Sequence, residues 1–283
     1  MGWKNKDRCD TLIIVSDLHC GCQMGLCPKE GIRLDENGWY KPNEFQEVMW
    51  KYWREFWDEW VPFVTSGKPY TVISNGDAID GEHHGNKSAI STNKAIQVNI
   101  AEGILKPIVD MCDGRFYMIR GTEVHDGTSA ENVENLAKKL GAKPNRAGQY
   151  ARYELWKKLG GDKALTHIMH HIGVTGSSAY ESTAVYKELV ESFVEAGRWG
   201  DRPPDVIVRS HRHRYFKTEI ATANDRAMSI VTPAWQGKTP FVYKIPGGRV
   251  TQPQFGGVML RISDEGELYE RHFVKRLARP EAE

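Results

Sequence analysis

Five short apolar runs are spread through this 283-residue chain, and each one stops at a histidine or a carboxylate. The runs are TLIIVS (11–16), YTVIS (70–74), RFYMIR (115–120), ALTHIM (164–169) and DVIVRS (205–210). Their length and β-branched content favour strand over helix. The first leads into Asp17-Leu18-His19, the second into Gly76-Asp77-Ala78-Ile79-Asp80, and the third into Gly121-Thr122-Glu123-Val124-His125. The fourth ends at His170-His171 and the fifth at His211-Arg212-His213. Burying even one such charge is costly. Five strand ends converging on one edge of a sheet, where α/β proteins gather their ligands, would repel or stay unsatisfied without a cation among them. Mixed Asp/His ligation suits Mn²⁺, Fe or Zn²⁺ better than Ca²⁺. The donors outnumber what one tetrahedral ion takes, so two ions sharing a carboxylate are expected.

Helical patterns lie between the runs. Segment 43–64 places Phe45, Met49, Tyr52, Trp53, Phe56 and Trp60 at helical spacing, with Asn43 as its cap. Its aromatics are expected to pack in the core; tryptophans exposed for stacking on single-stranded bases are the alternative. A second helix is expected over 129–141, starting from Thr128 or Ser129 and stopping at Gly141, and a third over 181–197, ending on Gly197. The tail reads as a hairpin, 256–263 and 267–275 around the turn DEGE. Strands alternating with helices, then strands alone, indicate an α/β sandwich.

Composition narrows the choices. A 40% hydrophobic fraction, 27% charged residues and a net charge of +1 describe a globular protein with no global basic field. No apolar stretch approaches the roughly 20 residues that span a bilayer, so no membrane partner is expected. The opening MGWKNKDRCD lacks a signal-peptide core, and Lys6 stands where myristoylation wants a small residue, so the expected compartment is the cytoplasm. Five cysteines, an odd number, fit a reducing compartment. Cys20, Cys22 and Cys27 lack paired C-x-x-C spacing and read as free thiols.

The blocks DLH, NGDAID, a glycine-led turn carrying a histidine, HH and SHRH resemble, in order and wide spacing, those of the calcineurin-like metallophosphoesterases: D-x-H, G-D-x-x-D, G-N-H-[DE], a strand-end His and G-H-x-H. The resemblance covers roughly residues 11–214. It implies a four-layer α-β-β-α sandwich in a single domain over 1–283, with an aromatic-rich helical insertion at 43–64 and C-terminal strands over 228–275. It also implies that Asp17, His19 and His213 hold one metal ion, that Asp77 bridges, and that His211 and a strand-end histidine hold the second. His170 is preferred to His171, because IMHH resembles the family's M-H-[HS]-P stretch. Two divalent ions are implied, Mn²⁺ first, with Fe or Zn²⁺ also compatible.

The third block departs from the family pattern. Its Asn is absent, and two extra residues precede the histidine. Glu123 is the natural replacement ligand and Thr122 the weaker one, since a neutral hydroxyl is a poor ligand. His125 is then the general acid or phosphate clamp, and Asp80 orients a group that binds metal. The implied activity is hydrolysis of a phosphate ester by a metal-bridging hydroxide. Phosphodiesters, as nucleotides or nucleic acid, are placed slightly ahead of monoesters. The protein phosphatases of the family carry Asp-Arg-Gly where this chain has Asp80-Gly81-Glu82. Arg120 beside the third block is a catalytic candidate. Arg212, Arg214 and His84 are candidates for substrate contact, with Arg209 and His83 nearby. A metal-binding scaffold with a decayed third block is the competing class.

Overall fold

The computed structural model describes residues 9–82, 85, 87–173, 178–223, 225–245 and 248–278. The first apolar run forms β1 (Thr11–Val15), buried along its whole length, and its alternating side chains divide between two cores. Leu12 and Ile14 face one, Ile13 and Val15 the other. A strand buried on both faces reads as a continuous apolar run, and this one does.

After β1 come a small ribbon of β2 (Ile32–Arg33) and β3 (Trp39–Tyr40), then helix α1 (Glu44–Glu55). A π-helical turn at Phe56–Trp60 joins α1 to α2 (Val61–Thr65). The order continues with β4 (Thr71–Asn75), α3 (Lys94–Met111), β5 (Phe116–Ile119), α4 (Glu123–Asp126), α5 (Glu131–Leu140) and β6 (Ala151–Arg152). Then follow β7 (Glu154–Leu159), β8 (Ala164–Met169), α6 (Glu181–Trp199), β9 (Val206–Arg209), β10 (Phe216–Thr222), β11 (Asp225–Val231), β12 (Phe255–Ile262) and β13 (Leu268–Lys275).

One sheet has the order β13-β12-β1-β4-β5-β6, the other β10-β11-β9-β8-β7. Leu12, Ile14, Ile73 and Leu260 of the first meet Ile168, Val206, Val208 and Ile230 of the second in a shared core. On the outer face of the first sheet, Ile13, Val72 and Met118 pack with Met49 and Trp53 of α1, Leu105 of α3 and Leu136 of α5. On the outer face of the second, Leu189 of α6 packs on Ile207 and Ala227. The layers therefore run α-β-β-α, as expected.

Within each sheet the strands that end in polar residues are parallel: β1 with β4 and β5, and β8 with β9. The five runs thus split three and two between sheets, and do not lie along one sheet edge as the sequence alone suggested.

Some elements differ from expectation. Helix α3 escaped notice because Pro107 sits inside it. β7 and β10 alternate charged with apolar residues and did not register as apolar runs. Helix α5 begins at Glu131, because Thr128 and Ser129 are taken into a turn that Ala130 closes in the left-handed conformation. Helix α6 runs through Gly197 and stops at Gly200, the residue that adopts positive φ. The hairpin of β12 and β13 lies where the tail placed it.

Asn43 caps α1 reciprocally: its side chain accepts from Gln46 N at 2.9 Å, and Gln46 Oε1 accepts from Asn43 N at 3.2 Å. Gln46 also donates to the carbonyls of Cys22 and Gly25, which fastens the helix to the loop after β1. The aromatic face is inside. Trp53, Phe56, Trp57 and Trp235 are buried, with Trp53 4.9 Å and Phe56 5.8 Å from Trp235, ring centre to ring centre. These rings offer no platform for bases. Trp57→Ala should cost about 3–5 kcal/mol of unfolding free energy, read from urea denaturation, as for other large aromatics removed from a core.

Candidate metal centre

The loops after β1 and β4 run side by side and hold each other. Asp17 N donates to Gly76 O, and His19 N to Asp77 O, each at 3.0 Å. Below them, buried side chains join the strand ends of both sheets. Ser16 Oγ and Thr232 Oγ1 are 2.7 Å apart, Thr232 Oγ1 and Ser210 Oγ 2.7 Å, and Asn75 Nδ2 donates to Ser210 Oγ at 2.6 Å. The three hydroxyls and the Asn75 amide N–H of this seam bond to one another, the condition for burying them.

Five of the expected ligands adopt the left-handed backbone region: Asp17 (φ 54°), His19 (45°), Asp77 (49°), His211 (70°) and His213 (55°). That conformation costs on the order of 1 kcal/mol or more for a residue with a Cβ, and such strain gathers at functional sites. Two glycines make room for the site. A Cβ on Gly76, whose φ is +85°, would stand 2.2 Å from His170 Nδ1, and one on Gly121 would stand 2.0 Å from Asp77 Oδ1.

The strand ends from the two sheets meet as three overlapping donor sets: Asp17, His19 and His213; His19, Asp77 and His125; and Asp77, His170 and His211. Within each set the donor atoms lie within 4.8 Å of one another. His213 Nε2 is 3.3 Å from Asp17 Oδ1, His170 Nε2 is 3.0 Å from Asp77 Oδ2, and His211 Nδ1 is 3.9 Å from the same oxygen. Asp17, His19, Asp77 and His170 are almost wholly buried; His213 and His211 form the open rim. His170 Nδ1 donates to Asn75 O at 2.7 Å, which turns Nε2 toward the two carboxylates.

Charge is compressed here. Burial alone would raise the pKa values of both aspartates, yet His170 with His213 holds Asp17 below the ordinary carboxylate range, and His170 with His125 holds Asp77 well below it. Burial would lower His170, but Asp77 and Asp17 push it up to about 10.

The other candidates are distributed as follows. Asp80 stands behind His19, its Oδ1 3.5 Å from His19 Nδ1, and accepts from Gln236 Nε2 at 3.3 Å. His125 Nδ1 donates to Asp80 O at 2.6 Å, and its Nε2 lies 3.8 Å from Asp77 Oδ2. Glu123 is not among the clustered donors: it is exposed at the start of α4. Thr122 serves Asp77 instead, its N–H donating to Oδ1 at 2.7 Å and its hydroxyl at 3.2 Å. Arg120 donates to Ala151 O and lies over the ring of Tyr153, while Arg212 and Arg214 engage Glu181. Arg209 is buried and paired with Glu188 at 2.6 Å. His171 is exposed, its ring 5.3 Å from that of His170. His83 and His84 lie outside the described residues.

Sequence reasoning missed Asp126. It is buried, accepts from Gly121 N, and burial and then Asp77 raise its carboxyl to about 7. The signal was available, since the family block places a carboxylate directly after its histidine.

No protein-family model and no curated protein sequence matches the chain. Among solved structures it is similar to Chaetomium thermophilum Vps29 at 9% identity, over 94% of this chain and 98% of that one, with a TM-score of 0.40. Another is a metallophosphoesterase from Sphaerobacter thermophilus, at 8% identity, over 95% and 89%, with a TM-score of 0.39. A third is the Thermus thermophilus sulfate thiohydrolase SoxB, at 12% identity, over 94% of this chain and 56% of that one, with a TM-score of 0.42. These scores are low; the layered sandwich and the five ordered blocks at its strand ends are what decide the family likeness. The α-β-β-α sandwich resembles the fold of the calcineurin-like metallophosphoesterases.

Divalent metal ions fit this site. Asp17 Oδ1, His19 Nε2, Asp77 Oδ2 and His170 Nε2 are buried, converge, and have no well-formed hydrogen bond among the described residues. Four such atoms left unpaired would be costly, and imidazole and carboxylate are the donors transition-metal ions take.

Two predictions follow from this geometry. Gly121→Ala should displace the Asp77 carboxylate and lower Mn²⁺ affinity at least tenfold, measured by calorimetric titration. In protein stripped with a chelator, Asp77 and Asp17 favour the protonated form of His170, so metal uptake should expel that proton. Apparent affinity should then rise with pH, by up to about tenfold per unit below the raised pKa, with close to one proton released per protein chain at pH 7. Titrations in buffers of different ionisation enthalpy measure it; zero release would contradict it.

Proposed function

We propose that the protein is a dimetal-dependent phosphoesterase, with Asp17, His19 and His213 holding one cation, His170 and His211 the other, and Asp77 serving both. The observation that carries this reading is the convergence of Asp and His donors, most of them buried, around Asp77. The cations would supply Lewis-acid activation of water and neutralisation of the phosphoryl oxygens. Thr122, through its N–H and hydroxyl, holds one oxygen of Asp77 and leaves the other facing the histidines. His125 is fixed through Nδ1 by the Asp80 carbonyl, which commits Nε2 to the side of Asp77, where it can donate to a leaving oxygen.

A singly charged diester suits the surroundings better than a dianionic monoester. Arg212 and Arg214 are both held by Glu181, and the Glu181 carboxylate pairing with Arg214 offsets positive charge that a dianion would draw on. Mn²⁺ is the first choice of metal. One observation favours the competing scaffold reading: the third block adds only His125, and not Glu123, to the donor sets.

The test is hydrolysis of matched chromogenic esters by Mn²⁺-loaded protein. The diester should turn over faster than the monoester, and Asp77→Asn should lower turnover by about a thousandfold or more, while His125→Ala should lower it by 10²–10⁴. Two bound metal ions with no hydrolysis of any phosphate ester would favour the scaffold.

A further inference from the structure

The connection from β11 to β12 starts and ends in the metal centre. Trp235 N donates to Asp17 O at 2.9 Å, and Gln254 N donates to His213 O at 2.8 Å. Between Asp225 and Asp264 the sequence has no carboxylate, although the chain carries 37. The connection itself holds Lys238, Lys244 and Arg249, a local positive excess in a chain of net charge +1.

A cavity of about 470 Å³ opens under this connection. Lys87 and Lys238 provide its charge, Tyr243 its aromatic face, and Gln23 and Ser88 its neutral hydrogen-bonding groups. Tyr243 is 58% exposed, and Lys238 Nζ lies 5.1 Å from its ring centre while donating to Arg249 O at 3.0 Å. Exposure of so large a ring, braced by a cation, presents a flat surface to solvent. The cavity adjoins the centre: Gly237 N donates to Met24 O in its wall, and the neighbouring Gln236 reaches Asp80.

The cavity beside His125 has the opposite sign. It measures about 340 Å³ and carries Glu82, Glu123 and Glu131 against the single cation Lys94. A polyanion approaching the centre is repelled on that side and attracted on the other.

We propose that the β11–β12 connection is a nucleotide platform: Tyr243 stacks an unpaired base, and Lys87 and Lys238 hold the phosphate next to the one at the metal centre. The substrate class is single-stranded nucleic acid, including short fragments, because a base inside a duplex cannot lie on the ring. The substrate assignment rests on the phosphoesterase reading of the centre; the platform itself is tested apart from it.

Binding of a fluorescein-labelled pentathymidylate is measured by anisotropy in EDTA, with no metal and no turnover, across a salt series. Tyr243→Ala should weaken binding about tenfold, the worth of one base on one ring, while Tyr243→Phe restores it. The double variant Lys87→Ala/Lys238→Ala should reduce the slope of log affinity against log salt by about 1.4, two single-strand phosphate contacts. Lys187→Ala, which removes a lysine paired with Glu191 on α6, should behave as wild type. Melting temperatures within 2 °C of wild type would show that the exposed substitutions leave the fold intact. No saturable binding by wild type, or equal affinity and slope in all variants, overturns the proposal. Binding that follows these expectations, in a protein that cleaves neither the oligonucleotide nor methyl p-nitrophenyl phosphate with Mn²⁺, keeps the platform and removes the phosphoesterase reading.

Discussion

Two carboxylates, Asp17 and Asp77, are buried where the two sheets meet, and the architecture around them is organised by the need to compensate that charge. Both come from the first sheet; the imidazoles of His170, His211 and His213 come from the second. His170 lies between them, 3.0 Å from Asp77 and 3.9 Å from Asp17. Removing one partner of a buried pair leaves the other uncompensated at a cost of about 3–5 kcal/mol. The sheets are therefore joined at this end by charge as well as by the apolar core, and a cation placed among the donors would relieve the like-charge repulsion between the two aspartates.

Such an arrangement needs rigidity, and the chain supplies it in backbone and side chains together. The hydroxyl and amide seam of Ser16, Thr232, Ser210 and Asn75 ties four strand ends into one polar layer under the donors. Asn75 acts twice, donating from its side chain to Ser210 and accepting from His170 at its carbonyl. Positive φ at Asp17, His19 and Asp77 would relax if the loops were free; paired loops after β1 and β4 prevent that. Behind them, Gln46 and the Trp53–Phe56–Trp235 packing brace the same loops from the helical layer. The donors are held before any ligand arrives, which is how a site limits its own reorganisation.

Much of this was legible in the sequence, for a physical reason. Strands buried on both faces must be apolar throughout, so an abrupt change to Asp and His marks where the sheet ends and the site begins. That contrast marked Asp17, Asp77, the His170-His171 pair, His211 and His213 before any fold was known, and the family resemblance chose His170 of the pair. The third block was harder. Its donors sit on a single helical turn, Glu123–Asp126, where one step in sequence turns a side chain by about 100°. Glu123 consequently points out, while His125 and Asp126 point in. Spacing alone does not fix that choice in so short a turn. The seam of Ser, Thr and Asn was equally hidden, because residues common on any surface acquire meaning only when two strands bring them together. Charged alternation in β7 and β10 concealed two edge strands for a related reason: edge strands are half exposed, and lack the apolar signature of central ones.

A net charge of +1 conceals strong local contrast. Screening confines each exposed charge to about 8 Å at physiological salt, so the lysines of the β11–β12 connection and the glutamates beside His125 act only on groups already at the centre. Long-range steering, which relies on a protein-wide field, has little to work with in this chain. Under the proposed function, selectivity among anionic substrates would then arise from contact, in the sign of the wall each substituent meets and in whether a flat ring can lie on Tyr243. The same reasoning gives the site a direction. Under the proposed phosphoesterase function, with Glu82, Glu123 and Glu131 on the side of His125, a group departing past this histidine would meet negative charge, whereas the group retained on the opposite side would meet lysine. Because a departing oxygen gains charge as its bond breaks, the acidic wall would favour its leaving as a protonated alcohol, the form that His125 would produce as the proposed general acid.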